Sequence, residues 1–330
     1  MADIEVIVPV LNDTSIIETL DHFCAQSSSK SMLITVVDNC SSSEISKLVT
    51  QFQHNSQVQY IRHETLIPFE DSFIRAARSA SCQFITFCGA GDRIDANQLK
   101  TAVAALPETF NGGLIGGRFA LTQGERYRVQ NLEPNVTAPE FIESRAVVNW
   151  CLNGPLSGLG GWIVSRNALA KHIDKLGCVS NTRFPQILLG LSISQSFEVI
   201  QTPNCWYFQS SELDPRRQKN AIYRNVSWIK RFEDLAKVIR PYETKAIQSQ
   251  INRSIGRNLL SFHVFGGRRT LLSAAKIASR HRGTVGKSAY LAVAFSIGAI
   301  PRRIGLIMIS LIRKMRARDG WMHSVTRQER

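Results

Sequence analysis

The sequence predicts an α/β protein: a mostly parallel sheet flanked by helices, followed by a basic helical extension. Three observations predict it. Over the first 110 positions, short β-branched runs alternate with amphipathic stretches about every 25 residues, as parallel strands joined by helical crossovers do. The strand-like runs end on Asn, Asp or Gly, where open sheets of this kind place their ligands. The charge is divided: residues 1–200 hold 15 basic and 19 acidic side chains, net −4, whereas residues 201–330 hold 25 and 7, net +18.

The elements follow in order. "IEVIVPVL" (4–11) is a buried strand stopped by Asn12-Asp13. Thr14 or Ser15 then caps a helix with Ile16, Ile17, Leu20 and Phe23 at helical spacing. "MLITVVDN" (32–39) is a second buried strand ending on Asp38. The serines of "SSSEISKLVTQF" (41–52), with an early Glu44, open a second helix. "VQYIRH" (58–63) is a third strand and "FEDSFIRAARSA" (69–80) a third helix. "QFITFCG" (83–89) is a fourth strand, followed by a helix over "DANQLKTAVAAL" (95–106).

After residue 110 the alternation breaks. "GLIGGRFAL" (113–121) and "RYRVQNL" (126–132) read as a strand pair. "APEFIESRAVVNWCL" (138–152) reads as a helix with an apolar face. "GLGGWIVSRNAL" (158–169) is a glycine-rich loop leading into a strand and a helix, and "FEVIQTPNCWYFQSS" (197–211) gives one or two closing strands. These patterns set a domain at 1–215, with halves 1–110 and 111–215, and a helical, basic region at 216–330.

Composition narrows the class. A chain of 330 residues at 44% hydrophobic has enough apolar material for a large core. The seven cysteines form no C-x-x-C pair, which suits small buried hydrophobes in a reducing cytoplasm. The chain begins directly on strand-like residues, and no secretory leader is expected. Residues 244–318 hold 15 basic side chains and no acidic one. Two apolar runs, 289–300 and 304–312, flank Pro301-Arg302-Arg303. A single span across 288–312 would bury two arginines at about 2.5–3.5 kcal/mol each and break at the proline. Segments lying on an anionic membrane surface fit better. A helical bundle packed on the domain, or a subunit contact in a homo-oligomer, is the alternative. Nucleic acid is not expected as a partner, because the basic region is too apolar for a solvated arm.

"IEVIVPVLND", "ITVVDNCSSS" and "ARSASCQFITFCGAGDRID" together resemble the landmarks of family-2 glycosyltransferases, which have the GT-A (Rossmann-like) fold. The resemblance spans about residues 3–210. It implies a nucleotide-sugar donor whose diphosphate leaves, and a cation, Mg²⁺ or Mn²⁺, that neutralises it. Carried onto this sequence, Pro9, Asn12 and Asp13 match the loop that holds base and ribose. Asp38, with Asn39, matches the aspartate that hydrogen-bonds the base. Asp92 matches the last aspartate of the metal motif. The sequence departs from that motif by placing Ala90 at the first carboxylate and Gly91 in the middle, so metal binding rests on Asp92 and Asp95. The bareness of Gly89-Ala90-Gly91 implies that the diphosphate fills the space beside it. Each of these aspartates is also, in isolation, an ordinary cap or turn residue.

Inverting transfer needs a carboxylate base. The resemblance implies one after the acceptor loop. There "RFPQILLGL" is similar to a helix of some bacterial O-antigen transferases, but no acid lies between Asp174 and Glu198. By exclusion the candidates are Asp174, Glu143 and Asp214, each equally readable as a solvated surface acid. Arg216 and Arg217 are placed to clamp a diphosphate or to open a helix. Gly160 and Gly161 form a flexible acceptor wall, with Trp162 as a stacking face or as core. The implied function is sugar transfer from a nucleotide-sugar to a lipid-linked or polysaccharide acceptor at the cytoplasmic face of a bacterial membrane. The alternative is a degenerate domain that organises a synthesis complex.

Overall fold

The computed structural model describes residues 3–123, 126–130, 136–143, 158–176, 185–210 and 284–301, with isolated positions between and beyond them. The chain divides into two compact units, Met1–Ser211 with Ser324–Arg330, and Glu212–His323.

The first unit is the expected α/β fold. Its strands are β1 (Ile4–Val10), β2 (Met32–Asp38), β3 (Val58–Arg62), β4 (Phe84–Phe87), β5 (Arg93–Ile94), β6 (Gly113–Gln123), β7 (Arg126–Gln130), β8 (Glu140–Phe141), β9 (Trp162–Ser165) and β10 (Glu198–Ser210). Its helices are α1 (Ile16–Cys24), α2 (Ser43–Thr50), α3 (Phe69–Ser79), α4 (Ala96–Ala104), α5 (Arg166–Leu176) and α6 (Pro185–Ser194). The strand order runs β7-β6-β9-β4-β1-β2-β3. β1 is parallel to β2 on one side and to β4 on the other, and β3 continues parallel beyond β2. The chain therefore steps outward from β1 in both directions, which makes the gap between β1 and β4 the topological switch point.

Burial explains the strands. All seven residues of β2 are buried, as in a strand covered by helices on both faces. α1 turns Ile16, Leu20 and Phe23 inward, the residues its spacing selects. Pro9 lacks a donor, yet β1 tolerates it, because β4 ends opposite Ile7 and Pro9 keeps only Val37 as a neighbour.

The second half is mixed. β9 lies antiparallel between β4 and β6, and β7 forms a hairpin with β6. β10 runs parallel along β6, with register shifts between Gln201, Cys205 and Tyr207. Beyond those shifts it pairs with β5, a short strand that the sequence pattern does not reveal. The helix expected over 138–152 begins later: Glu140–Phe141 pair instead with Ile200 and Gln201 of β10, where an open edge outweighs local helical spacing. Trp150 is buried against Gly116, where an added Cβ would lie 2.3 Å from its ring.

In the second unit, helix α7 (Thr284–Gly298) is described. Ala294 is buried, whereas Val293 and Phe295 are half exposed. Ile304, Ile307 and Met308 are also exposed. Among the described residues, no helix is long and apolar enough to cross a membrane.

Candidate active site

Parallel β1, β2, β3 and β4 bring their carboxyl ends to one edge, and side-chain bonds knit the loops there together. Asn12 and Cys40, which follow β1 and β2, both have left-handed backbones, φ 50° and 60°, an uncommon state for residues with a Cβ. Asn12 N–H donates to Ser41 Oγ at 2.9 Å, and its Oδ1 accepts from Ser42 N–H at 2.8 Å. Asp13 Oδ1 accepts from the Ser15 amide at 3.2 Å and hydroxyl at 2.5 Å, which turns the chain into α1. Asn39 pins the loop after β3, donating to Ile67 O at 2.8 Å and accepting from Ile67 N–H at 3.1 Å.

Asp38 is completely buried. Its Oδ1 accepts from Ser41 N–H at 2.7 Å and its Oδ2 from the Tyr60 hydroxyl at 2.6 Å. Arg62 Nε approaches Oδ2 at 3.9 Å. The carboxylate thus shapes the loop that caps β2. His63 accompanies it: its amide donates to Asp38 O at 2.9 Å, and its Nε2 is buried with no hydrogen-bond partner. Burial, and then Arg75, hold this imidazole below its usual pKa, with Asp38 partly opposing them.

Asp92 stands five residues beyond β4, across β1 from Asp38 in the strand order. Thr19 clamps its main chain: the hydroxyl donates to Asp92 O at 2.8 Å and accepts from Gly91 N–H at 2.9 Å. Both carboxylate oxygens are held by β10. Ser210 N–H donates to Oδ1 at 2.9 Å, and the Tyr207 hydroxyl donates to Oδ2. Tyr207 is 1% exposed. Burial, reinforced by the Asp92 charge, pushes its phenol well above the usual range, so it stays a donor. The same two causes raise the Cys88 thiol, and burial raises Cys205 to about 12; both are inert hydrophobes rather than nucleophiles.

The glycines beside Asp92 have a cause within the protein itself. A Cβ at Gly89 would lie 2.5 Å from Asp92 Oδ2, and one at Gly91, whose φ is +81°, would lie 2.8 Å from Ser15 Oγ. Ala90 is 8% exposed and belongs to the core, and the Gly91 amide donates to Thr19 Oγ1. Asp95, the other carboxylate expected near a metal, caps α4 by accepting from Gln98 N–H at 2.9 Å.

The acceptor wall is corrected in part. Trp162 is fully buried and stacks on Phe87, with ring centroids 5.3 Å apart, so it serves as core and offers no face to a sugar. Gly160 packs directly on Tyr207, where a Cβ would lie 2.3 Å from the ring. Gly161, at φ +88°, accepts from Gly117 N–H at 3.0 Å. The structure does not bring Asp174 to the cluster: it is exposed and paired with Arg78 in the last turn of α3 at 2.6 Å. Glu143 is exposed beyond β8. Asp214, Arg216 and Arg217 lie outside the described residues. Tyr207, Thr19 and Ser210 are the site residues that sequence reasoning missed; nothing local marks them, since their partner is 73 to 118 positions away.

Among the described residues, no group of three or more His, Cys, Asp or Glu side chains is arranged to hold a metal. Asp92 fits a less demanding role. A divalent cation bound through diphosphate oxygens needs one or two carboxylates, and Asp92 supplies one, oriented by the bonds it accepts from β10.

Solved structures share this fold. The chain resembles TarS of S. aureus, with a TM-score of 0.56 at 12% identity, over 90% of this chain and 54% of that one. A shorter TarS form in complex with UDP gives 0.53 at 13%, over 90% and 88%. A mannosyltransferase from Pyrobaculum calidifontis, in complex with GDP-Man and Mn²⁺, gives 0.53 at 16%, over 96% and 86%. No curated protein sequence matches the chain significantly. The profile of glycosyl transferase family 2 matches residues 5–173, just over half of the chain. With that match and the GT-A architecture built above, the chain belongs to glycosyl transferase family 2.

Proposed function

We propose that this transferase moves a sugar from a nucleotide-sugar to a lipid-linked or polysaccharide acceptor, with inversion, in bacterial surface-glycan synthesis. The observation that carries the reading is the immobilised Asp92 carboxylate beside the switch point, on the same sheet edge as Asn12, Asp13 and Asp38. The base and ribose lie against the loops that Asn12, Asp38 and Asn39 hold in place, and the diphosphate lies toward Asp92. Structures of the same fold were solved with UDP and with GDP-Man and Mn²⁺, which supports a nucleotide-sugar donor. A cation, when bound, neutralises the leaving diphosphate; Asp92 would hold it.

The acceptor hydroxyl attacks the anomeric carbon, the bond to the diphosphate oxygen breaks with its electron pair, and the hydroxyl proton goes to a carboxylate base. Asp214, one of the acids the sequence leaves as candidates, would take that role; it follows Ser210 by four positions in the chain. Arg216 and Arg217 would clamp the diphosphate. The exposed apolar residues of 293–308, in a segment free of acids, support a peripheral position on an anionic membrane at its cytoplasmic face.

The test is transfer from UDP-, GDP- and dTDP-sugars to acceptors in a membrane extract. Wild type turns over at least one donor, and Asp92→Ala lowers its rate by about 10²–10³-fold, as the loss of a principal electrostatic group does. Unchanged turnover in Asp92→Ala removes that residue from the mechanism. Ala90 at the first carboxylate of the motif favours a second reading, a degenerate domain that organises a complex. Robust transfer by the wild type eliminates it.

A further inference from the structure

Asp92 is a single carboxylate at a position where the family motif supplies more than one. A lone side chain is a weak cation ligand unless its rotamer is fixed beforehand, because ordering it opposes binding. Here the backbone and both carboxylate oxygens are held. Thr19 holds the Asp92 carbonyl at 2.8 Å, Ser210 N–H holds Oδ1 at 2.9 Å, and the Tyr207 hydroxyl holds Oδ2. Gly89 leaves the space that Oδ2 occupies.

The phenol is itself immobile. Its ring is 1% exposed and lies under Gly160 with no room for a Cβ between them. Its backbone is paired on both sides, with Phe119 of β6 and Ile94 of β5. The second half of the domain thus holds a ring, and the ring holds the carboxylate of the first half.

We propose that Tyr207 is a positioning residue: through its hydroxyl it presets Asp92 for a divalent cation bound with a nucleoside diphosphate, and so offsets the carboxylate lost at Ala90. This rests on the reading of Asp92 as the cation-holding residue. Tyr207→Phe is the direct test, since the ring and its packing on Gly160 stay. Gly89→Ala is the second, since its Cβ would displace Oδ2 while leaving the phenol intact.

The measurement is Mn²⁺ titrated into protein with UDP or GDP, with free Mn²⁺ followed by electron paramagnetic resonance. UDP or GDP affinity in EDTA is measured in parallel. Both variants are expected to bind Mn²⁺ about 10–100-fold more weakly, the usual cost of losing an outer-shell partner, with metal-free nucleotide affinity unchanged. Wild-type Mn²⁺ affinity in folded Tyr207→Phe overturns the inference and leaves the cation role of Asp92 standing. So does an equal loss of metal-free nucleotide affinity, which marks general damage. If the wild type binds no Mn²⁺ beside either nucleotide, both the inference and the cation role fall, while the transfer assay still decides the transferase reading.

Discussion

Glu5, Asp38 and Asp92 carry the same functional group, yet their surroundings give them different tasks. Asp38 and Glu5 are enclosed by donors and act as internal fasteners. Asp92 is only partly buried. His63, like His22, is a histidine of the first half whose pKa is held below its usual value. Its Nε2 is buried without a partner, and burial together with Arg75 lowers its pKa against the opposing pull of Asp38. Below about pH 6.5 the unfolded chain takes up the proton that the folded imidazole resists. His63 therefore costs no stability above that pH, and its cost grows as pH falls from there toward the lowered folded value, below which it is constant. Between pH 7.5 and 5.5, His63→Asn is expected to lose less melting temperature than the wild type. Parallel losses in a fluorimetric melt would show that His63 does not titrate this way.

Among the elements, β1 and β10 do most to place the site. β1 sits at the switch point and is pinned at its beginning by Glu5. That carboxylate accepts from Thr35 Oγ1 of β2 at 2.7 Å, and from Ser81 N–H at 2.7 Å and Cys82 N–H at 3.3 Å before β4. Glu5→Ala would take the acceptor away from four donors, the Ser81 hydroxyl at 3.3 Å being the fourth, and each group left unsatisfied in a buried position costs about 1–3 kcal/mol. The expected loss is about 3 kcal/mol in urea unfolding, with Glu5→Gln losing less because its amide oxygen still accepts. A loss under about 0.5 kcal/mol, the range of ordinary surface substitutions, would mean that the strands need no such fastener. β10 acts at the other end: its register shifts between Gln201 and Tyr207 turn the strand so that Tyr207 and Ser210 reach Asp92.

For the whole molecule, the uneven charge predicts a surface encounter. Residues 244–318 carry 15 positive charges and no negative one, and Phe295, Ile304 and Ile307 are at least half exposed. Flotation with vesicles containing phosphatidylglycerol is expected to carry the protein up, with neutral vesicles much less effective. Phe295→Glu with Ile307→Glu should weaken binding by more than about 10-fold, since burying each large apolar side chain contributes about 1.5–3 kcal/mol. Equal flotation of the variant would turn the assignment toward a protein partner for this surface.

The sequence by itself determined the first half of the fold. Its strands and helices are short, local and strongly patterned, and parallel βα units leave little freedom in how they stack. It also pointed to Asp92 and Asp38, because residues at the ends of buried strands converge on one edge. Only the tertiary structure decided what surrounds them. Pairing with the open edge of β10 turned Glu140–Phe141 from helix to strand. Core packing took Trp162 and Ala90 inside, and close contacts within the protein accounted for Gly89 and Gly91. The clamp of Tyr207 and Ser210 on Asp92 spans more than 100 positions. Contacts at that separation depend on how sheets register against one another, which no local pattern of side chains encodes.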